Sequence, residues 1–499
     1  MLTDHILTLT TFVPTAGAVV AALLPRKGRV IQWWALLVSL ATFGLTLHLP
    51  FHYAYGQSGF QFEENYSWIS SPAIRYHLGV DGISVWLVVL TGFLSVVGVL
   101  ASWKSIETRT KEFYFLFLLQ QTAMIGVFVA LDMFLYYGFW ELSLVPMAIL
   151  IALFGKERGP KTALKFFTYT FIPSALFLVA ILWLYAKTGT FDYVQLQQAL
   201  TTNSSLFPPE ALWWVSLAFL VAFAVKVPVF PLHGWLSDTI SDAPTAMAMV
   251  VAGKLGLYSI LRYNLGLFPA QAREFAPLMI ALAVIGVLYG ACIALVQRDM
   301  KRLVAYSILS HLSFCTLGIF CFALSGLNGA VYQILNHGIS GSAILVLIGF
   351  LYERYATYEM ADYGGLAKRL PNMATLFVIV TLSLIGLPIL NGFVGEFLIL
   401  SGSFANHPIW IGFATLGVIL GAAYMLWMVQ KIFYGPQSSM VTKSIALDLS
   451  FREHLLLWPM VVLMLVMGVA SPYWMRAING GVTGLSDSAT HTVTYLEKR

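Results

Sequence analysis

Ala224-Val225-Lys226-Val227-Pro228-Val229-Phe230-Pro231-Leu232-His233-Gly234-Trp235 lies inside an apolar stretch that runs from about residue 211 to 243. Proline lacks the backbone donor, and its ring clashes with the carbonyl one turn back, so a helix must open at Pro228 and Pro231. A second stretch opens in the same way: Ile385-Gly386-Leu387-Pro388-Ile389-Leu390-Asn391-Gly392-Phe393-Val394-Gly395-Glu396. Irregular backbone at membrane depth survives only against protein or beside a water-filled cavity. Ordinary proline kinks would account for both breaks. The ionisable residue beside each one, Lys226 and Glu396, favours a functional reading, because paired broken helices point to a midplane ion site in transporter folds.

The rest of the chain supports a membrane setting. Of 499 residues, 59% are hydrophobic and only 10% charged, against about 25% charged in soluble domains. The mean hydropathy of +0.80 and repeated apolar runs of about 20 residues define an all-α polytopic membrane protein. We count about 14 transmembrane helices. Residues 6–24 read as a first retained span, since no basic segment or small-residue cleavage site marks a signal peptide. The connection 50–81 is long, 187–210 is polar, and the tail after about 476 reads as frayed.

The breaks fall in the seventh and twelfth spans. Two five-helix repeats follow, spans 4–8 and 9–13, each with its fourth helix broken. Five is odd, so the second repeat is inverted. The expected organisation is residues 1–112 for helices 1–3, 113–265 for the first repeat, 266–433 for the second, and 434–499 for a last helix and tail. Of the 28 Lys and Arg, two are Lys226 and Lys254; with the N-terminus outside, nineteen of the others fall on the inner side and seven on the outer. That bias places both termini outside, periplasmic in a bacterium. The net charge of +5 therefore reflects inner loops and not affinity for nucleic acid.

Glu141, Lys226, Lys254 and Glu396 lie deep within apolar segments. A charge at the bilayer centre costs about 2.5–3.5 kcal/mol, so four cost on the order of 10 kcal/mol. Packing alone is a poor reason to keep them, and both signs of charge suggest a path for protons or another small cation. Glu141 is expected to pair with Lys226, either as a static brace or as a switch. A buried pair often adds no net stability over apolar packing, which favours the switch. Lys254 either carries a proton in the interior or snorkels to an interface. Glu396 is the expected proton acceptor beyond the second break, or a dipole partner at a half-helix N-terminus. Histidine can both donate and accept near neutral pH. His337 and His311 are therefore candidate relays, with Ser307, Ser310, Asn336, Ser340 and Ser342 nearby; His233 is a weaker one that more naturally fixes the first break. Asp299, Lys301 and Arg302 form a charged inner loop, an entry mouth or an anchor.

Other chemistries find no support. There is no phosphate loop for ATP and no dinucleotide fingerprint. Cys292, Cys315 and Cys321 lack metal spacing and read as small core residues. Facing histidines could hold haem, but nothing requires it. No cofactor is expected in this chain.

Several motifs together resemble a family: Val80-Asp81-Gly82-Ile83-Ser84, Phe139-Trp140-Glu141, Lys226-Val227-Pro228 with His233-Gly234-Trp235-Leu236, Ala243-Pro244-Thr245, Asp299-Met300-Lys301-Arg302 through Ser310-His311, and Gly392-Phe393-Val394-Gly395-Glu396-Phe397. From about residue 75 to 430 the chain resembles the antiporter-like subunits of respiratory complex I, the proton-translocating NADH–quinone oxidoreductase. Glutamate at 396 and the chain length point to the M type, the counterpart of mitochondrial subunit 4. The resemblance implies a Glu–Lys–Lys–Glu chain at Glu141, Lys226, Lys254 and Glu396, driven by quinone reduction elsewhere. It implies FMN, iron–sulfur clusters and quinone in partner subunits, antiporter-like neighbours on both sides, and the lateral helix of an L-type subunit alongside. It places the chain in the cell inner membrane. Subunits of multisubunit Na⁺/H⁺ antiporters or of membrane-bound hydrogenases are the rival members of the superfamily. Before Lys254 the chain is a few residues shorter than the M-type pattern, which bears on the bend joining spans 7 and 8.

Overall fold

The computed structural model describes residues 3–25, 29–57, 59–156, 158–202, 206–251, 254–443 and 446–497. Without water, each backbone N–H and C=O must find its partner within its own segment, so the apolar runs fold as helices. In chain order these are α1 (Ile6–Leu23), α2 (Val30–His52), α3 (Val85–Ala101), α4 (Thr110–Val129), α5 (Met133–Leu142), α6 (Leu144–Phe154), α7 (Gly159–Thr188), α8 (Tyr193–Thr202) and α9 (Pro209–Lys226). There follow α10 (Leu236–Asp242), α11 (Thr245–Val251), α12 (Lys254–Ser259) with a π-helical turn (Ile260–Leu265), α13 (Pro269–Val296), α14 (Met300–Phe320) and α15 (Leu324–Tyr355). The chain ends with α16 (Pro371–Leu384), α17 (Asn391–Phe404), α18 (Pro408–Phe433), α19 (Ser439–Lys443), α20 (Phe451–Val469) and α21 (Pro472–Glu497). Eleven described helices, with Met133–Phe154 taken as one, are long and apolar enough to cross a membrane. Adding α3, the α11–α12 segment and the α16–α17 pair brings the candidate passes to fourteen.

Helices α14 and α15 form the centre. Every residue of α15 from 326 to 351 is buried, and in α14 only Arg302 and Tyr306 escape full burial. Their polar residues therefore face protein. Gln333, Asn336, His337 and Ser340 recur at three- and four-residue spacing and so share one face of α15.

The structure departs from the sequence expectations in several places. The connection 50–81 contains an antiparallel hairpin, β1 (Gln61–Ile69) and β2 (Ile74–Val80), so the chain is not wholly α. Aromatic and β-branched residues in both strands favour this pairing. The polar connection 187–210 contains α8. The tail is not frayed at 476: α21 buries Ala477, Ile478, Val482 and Leu485 on one face. A Cβ on Gly82 would lie 1.8 Å from the Ala477 carbonyl oxygen, so α21 rests directly on the turn before α3. Cys292 is exposed on α13, while Cys315 and Cys321 are buried; a lipid-facing surface accepts a small apolar residue as readily as a core does. Of the charges assigned to loops, Arg26, Lys27, Lys498 and Arg499 lie outside the described residues.

Two loop-assigned cations are instead buried. Lys301 donates to the Ala243 carbonyl at 2.7 Å and approaches that of Ser241 at 3.5 Å. It therefore clamps the C-terminal end of α10, where the helix dipole favours a cation. Arg262, counted on the outer side, pairs with Asp81 at 2.6 Å, both nearly sealed from solvent. Its guanidinium sits over the rings of Phe60, Tyr258 and Tyr193 at 5.0, 5.4 and 5.7 Å. Asp81 also accepts from Ile83 N and Ser84 N at the start of α3. Removing one partner leaves a buried charge uncompensated, so Asp81→Asn should destabilise the chain by about 3–5 kcal/mol. An unchanged melting temperature of the complex carrying it would count against this.

At the β-hairpin His77 bridges Asp192, at 2.5 Å, and Glu63, at 3.1 Å. Burial opposes a charged imidazole, but the hydrogen bond and charge of Asp192, then those of Glu63, raise its pKa overall. Burial likewise opposes the Asp192 carboxylate, yet His77 and the Gln195 N–H hold its pKa below the ordinary value. The cluster ties the hairpin to the start of α8.

Candidate functional site

The first break begins where α9 ends, at Lys226. Pro228 has no N–H to give, and Val229 N reaches back to the Ala224 carbonyl at 2.9 Å, five residues away. Trp235 Nε1 covers the Val225 carbonyl at 2.9 Å. Buried backbone acceptors need such partners. Gly256 of α12 lies against this opened backbone, where a Cβ would come within 2.8 Å of both the Phe223 carbonyl oxygen and Val227 N.

Lys226 is 9% exposed. Its ammonium donates to Ser143 Oγ at 3.3 Å and lies 4.9 Å from the centre of the Trp140 ring. Ser143 in turn donates to the Trp140 carbonyl at 2.7 Å. It occupies the junction between α5 and α6, a third interruption absent from the sequence reading. Its signal was present: Pro146 cannot donate to the carbonyl of Leu142, one turn back. Glu141, half-buried, accepts from the Ser174 hydroxyl of α7. No ion pair within 4.0 Å joins Glu141 to Lys226. The expected contact is thus open here, each partner held by a serine.

Lys254, 5% exposed, is interior and does not snorkel. A cavity of about 30 Å³ is lined by both Lys226 and Lys254, with Ser143, Gln120 and Trp235 on its wall. A hydrogen-bonded water needs only about 10–15 Å³ of such space, so there is room for a bridging molecule between the two lysines. Lys254 and Gln120 also line a second cavity of about 20 Å³ that includes Thr91, Ser95 and Gln121.

From Lys254 the row continues onto α15 and α14. A Cβ on Gly338 would meet Lys254 Cε at 3.1 Å, so the lysine stem lies against the residue next to His337. The rings of His337 and His311 are 5.7 Å apart. His311 Nδ1 lies 2.9 Å from Glu396 Oε1, and Gln333 Nε2 donates to the same oxygen at 3.1 Å. Both nitrogens of His337, and Nε2 of His311, have no hydrogen-bond partner among the described residues.

The second break holds Glu396 in place. Leu387 N bonds to the Leu382 carbonyl at 3.0 Å, again five residues back. Gly386 and Ile389 take positive φ, 74° and 82°, around Pro388. Asn391 fixes the restart: its Oδ1 accepts from Ser383 at 2.6 Å and its carbonyl from Asn336 at 2.7 Å. A Cβ on Gly468 would lie 1.9 Å from the Ile389 carbonyl oxygen, so α20 lies directly on this break.

The structure thus brings Lys226, Lys254, His337, His311 and Glu396 into one buried row, with Glu141 beside it, held by Ser174 while Lys226 is held by Ser143. It does not bring in His233. That ring sits between Phe230 and Tyr289, 5.5 and 5.1 Å between centres, and fixes the loop at Pro231. Ser143, Ser174, Gln120 and Gln333 were missed by sequence reasoning. Among the described residues no group of His, Cys, Asp and Glu could hold a metal ion.

Comparison with known proteins places the chain among its relatives. The family described as NADH:quinone oxidoreductase/Mrp antiporter, TM, matches residues 130–421. That described as NADH-ubiquinone oxidoreductase chain 4, amino terminus, matches residues 9–131. The chain is 38% identical over 479 residues to NADH-quinone oxidoreductase subunit M of Rickettsia typhi, covering 94% of this chain and 96% of that one. Among solved structures, a chain of respiratory complex I from Thermus thermophilus superposes with a TM-score of 0.87 at 29% identity, covering 97% of this chain and 99% of that one. A chain of the Mrp complex from a Dietzia species superposes with a TM-score of 0.86 at 19% identity, over 99% of this chain and 100% of that one, a likeness of fold alone.

Proposed function

We propose, from the premise that this chain belongs to the NADH-quinone oxidoreductase subunit M family, that it moves protons along Glu141, Lys226, Lys254, His337, His311 and Glu396. It is a membrane-embedded, antiporter-like subunit of that oxidoreductase. The proposal concerns how the row works. One observation carries it: six ionisable residues on six different helices line up as near neighbours within the helix bundle, next to two opened helices. Redox chemistry stays in partner subunits, which hold the FMN, iron–sulfur clusters and quinone. Quinone reduction there closes and opens the Glu141–Lys226 contact. A carboxylate beside an ammonium favours the charged form, so closure keeps the proton on Lys226 and opening lets it pass through the shared cavity to Lys254. From there His337 and His311 hand it to Glu396.

Further parts of this reading are the inverted repeats over 113–265 and 266–433, termini on the outer side, and antiporter-like neighbours on both faces with an L-type lateral helix alongside. Na⁺/H⁺ exchange draws only on likeness of fold, whereas 38% identity over 94% of the chain supports the oxidoreductase.

The test uses Glu141→Gln and Lys226→Ala in separate strains. Each should lower protons moved per quinone reduced by about tenfold, the scale of one unit in a proton affinity. Normal pumping by an assembled complex in either strain would remove the pair from the mechanism.

A further inference from the structure

Three segments around Glu141 and Lys226 carry a proline within a turn of one of the side chains that hold or form the pair. Pro146 opens the α5–α6 junction at Ser143, Pro228 opens α9 just past Lys226, and Pro173 lies inside α7 immediately before Ser174. Proline in a helix interior removes a hydrogen bond and bends the backbone. Near two of these prolines a serine reaches the pair: Ser143 beside Pro146 and Ser174 beside Pro173. Ser174 is only 1% exposed, and its hydroxyl donates to Glu141. Ser143 is 3% exposed and takes the Lys226 ammonium. A buried serine on a helix usually satisfies itself against a backbone carbonyl of the preceding turn. Ser143 does so with Trp140 and has a lone pair left for the lysine; Ser174 gives its proton to the glutamate instead.

We infer that Ser174 and Ser143 form a two-sided clamp that holds Glu141 and Lys226 apart, so that each charge exchanges a serine for its partner when the contact closes. Ser174 is a positioning residue: it acts on the proton path through Glu141. The clamp makes the open state a bonded state. Without it, Glu141 would keep only the Tyr137 hydroxyl as a partner among the described residues when the two charges separate, and the balance would move toward the closed contact. A hydrogen bond to a charged group is the right size for the task, since its loss changes a two-state ratio by about tenfold or more. This inference rests on the switch proposed above.

The test uses the intact complex in membrane vesicles, with Ser174→Ala, Ser174→Thr, Glu141→Gln and the Ser174→Ala/Glu141→Gln double variant. Two readouts are taken: protons moved per quinone reduced, and the infrared carboxylate band assigned to Glu141 by its loss in Glu141→Gln. Ser174→Ala should shift that band and lower the proton yield by about half or more, given the size of the lost hydrogen bond. Ser174→Thr, which keeps the hydroxyl, should restore both. On the Glu141→Gln background Ser174→Ala should add nothing. Should alanine prevent assembly, Ser174→Cys keeps the volume with a weaker donor and should give the same changes. A band and yield unchanged by loss of the hydroxyl, or an equal effect in the absence of Glu141, would overturn the clamp. Normal pumping in Glu141→Gln alone would instead overturn the switch, and the band would still report whether Ser174 holds the carboxylate.

Discussion

Lys254→Met leaves an assembled complex that moves almost no protons through this subunit. Methionine matches the length of the lysine stem, so the packing against Gly338 is kept while the ammonium is removed. Among the described residues no other ionisable side chain lines the cavity between Lys226 and Lys254. On one side Lys226 and Lys254 share a single small cavity; on the other the lysine stem lies against the residue before which His337 stands. A positioned proton-transfer group contributes about 10²–10⁴ in rate, and a relay interrupted in its middle loses at least that. The measurement is proton uptake by vesicles per quinone reduced, with the amount of assembled complex checked on a native gel. Wild-type proton yield from Lys254→Met would mean that the path bypasses α12, and the central part of the row would have to be abandoned. Lys254→Arg should also fail, since guanidinium does not give up its proton in proteins.

The second large effect is structural. Gly256→Val should prevent stable assembly, and Gly256→Ala should do so in part. Here the neighbours of the added carbon include the Phe223 carbonyl and Val227 N, both backbone atoms within 2.8 Å. A flexible side chain could move aside; the backbone at the first break cannot, because Trp235 and the five-residue turn at Ala224 already fix it. Overpacking a tight core costs about 1–3 kcal/mol, occasionally more, and a backbone contact belongs at the upper end. The expected result is a complex lacking this subunit on native gels, or one melting several degrees lower. A Gly256→Val complex of normal abundance and stability would show that α12 can retreat from α9, contrary to the packing described.

Much of this was legible in the residues. Pro228, Pro231 and Pro388 identified both breaks, because the loss of a donor and the clash of a ring are local facts. Glu141, Lys226, Lys254 and Glu396 stood out because charge inside an apolar run is costly wherever the run folds. His311 and His337 were candidates from spacing, and the structure places them between Lys254 and Glu396. What stayed hidden depends on three-dimensional neighbours. Arg262 and Lys301 lie near the ends of apolar runs, where a sequence cannot tell a surface charge from one folded back under a loop. Pro146 lay in plain view beside Glu141, but one proline near the start of a helix is tolerated as often as it breaks one. Ser143 and Ser174 resemble any serine in a membrane helix until the charges they touch are known. The tail after about 476 was expected to fray; in α21 Gly481 instead permits close approach to Gly82.

The seat of α20 on the second break has a consequence for biogenesis. The carbonyls of Ile389 and Leu390 are sheltered by a helix whose contact residue, Gly468, is synthesised almost eighty positions later. Until that helix is made, this opened backbone has no protein cover against the bilayer. A chain truncated before α20 should therefore fail to join the assembled complex, as native gels would show.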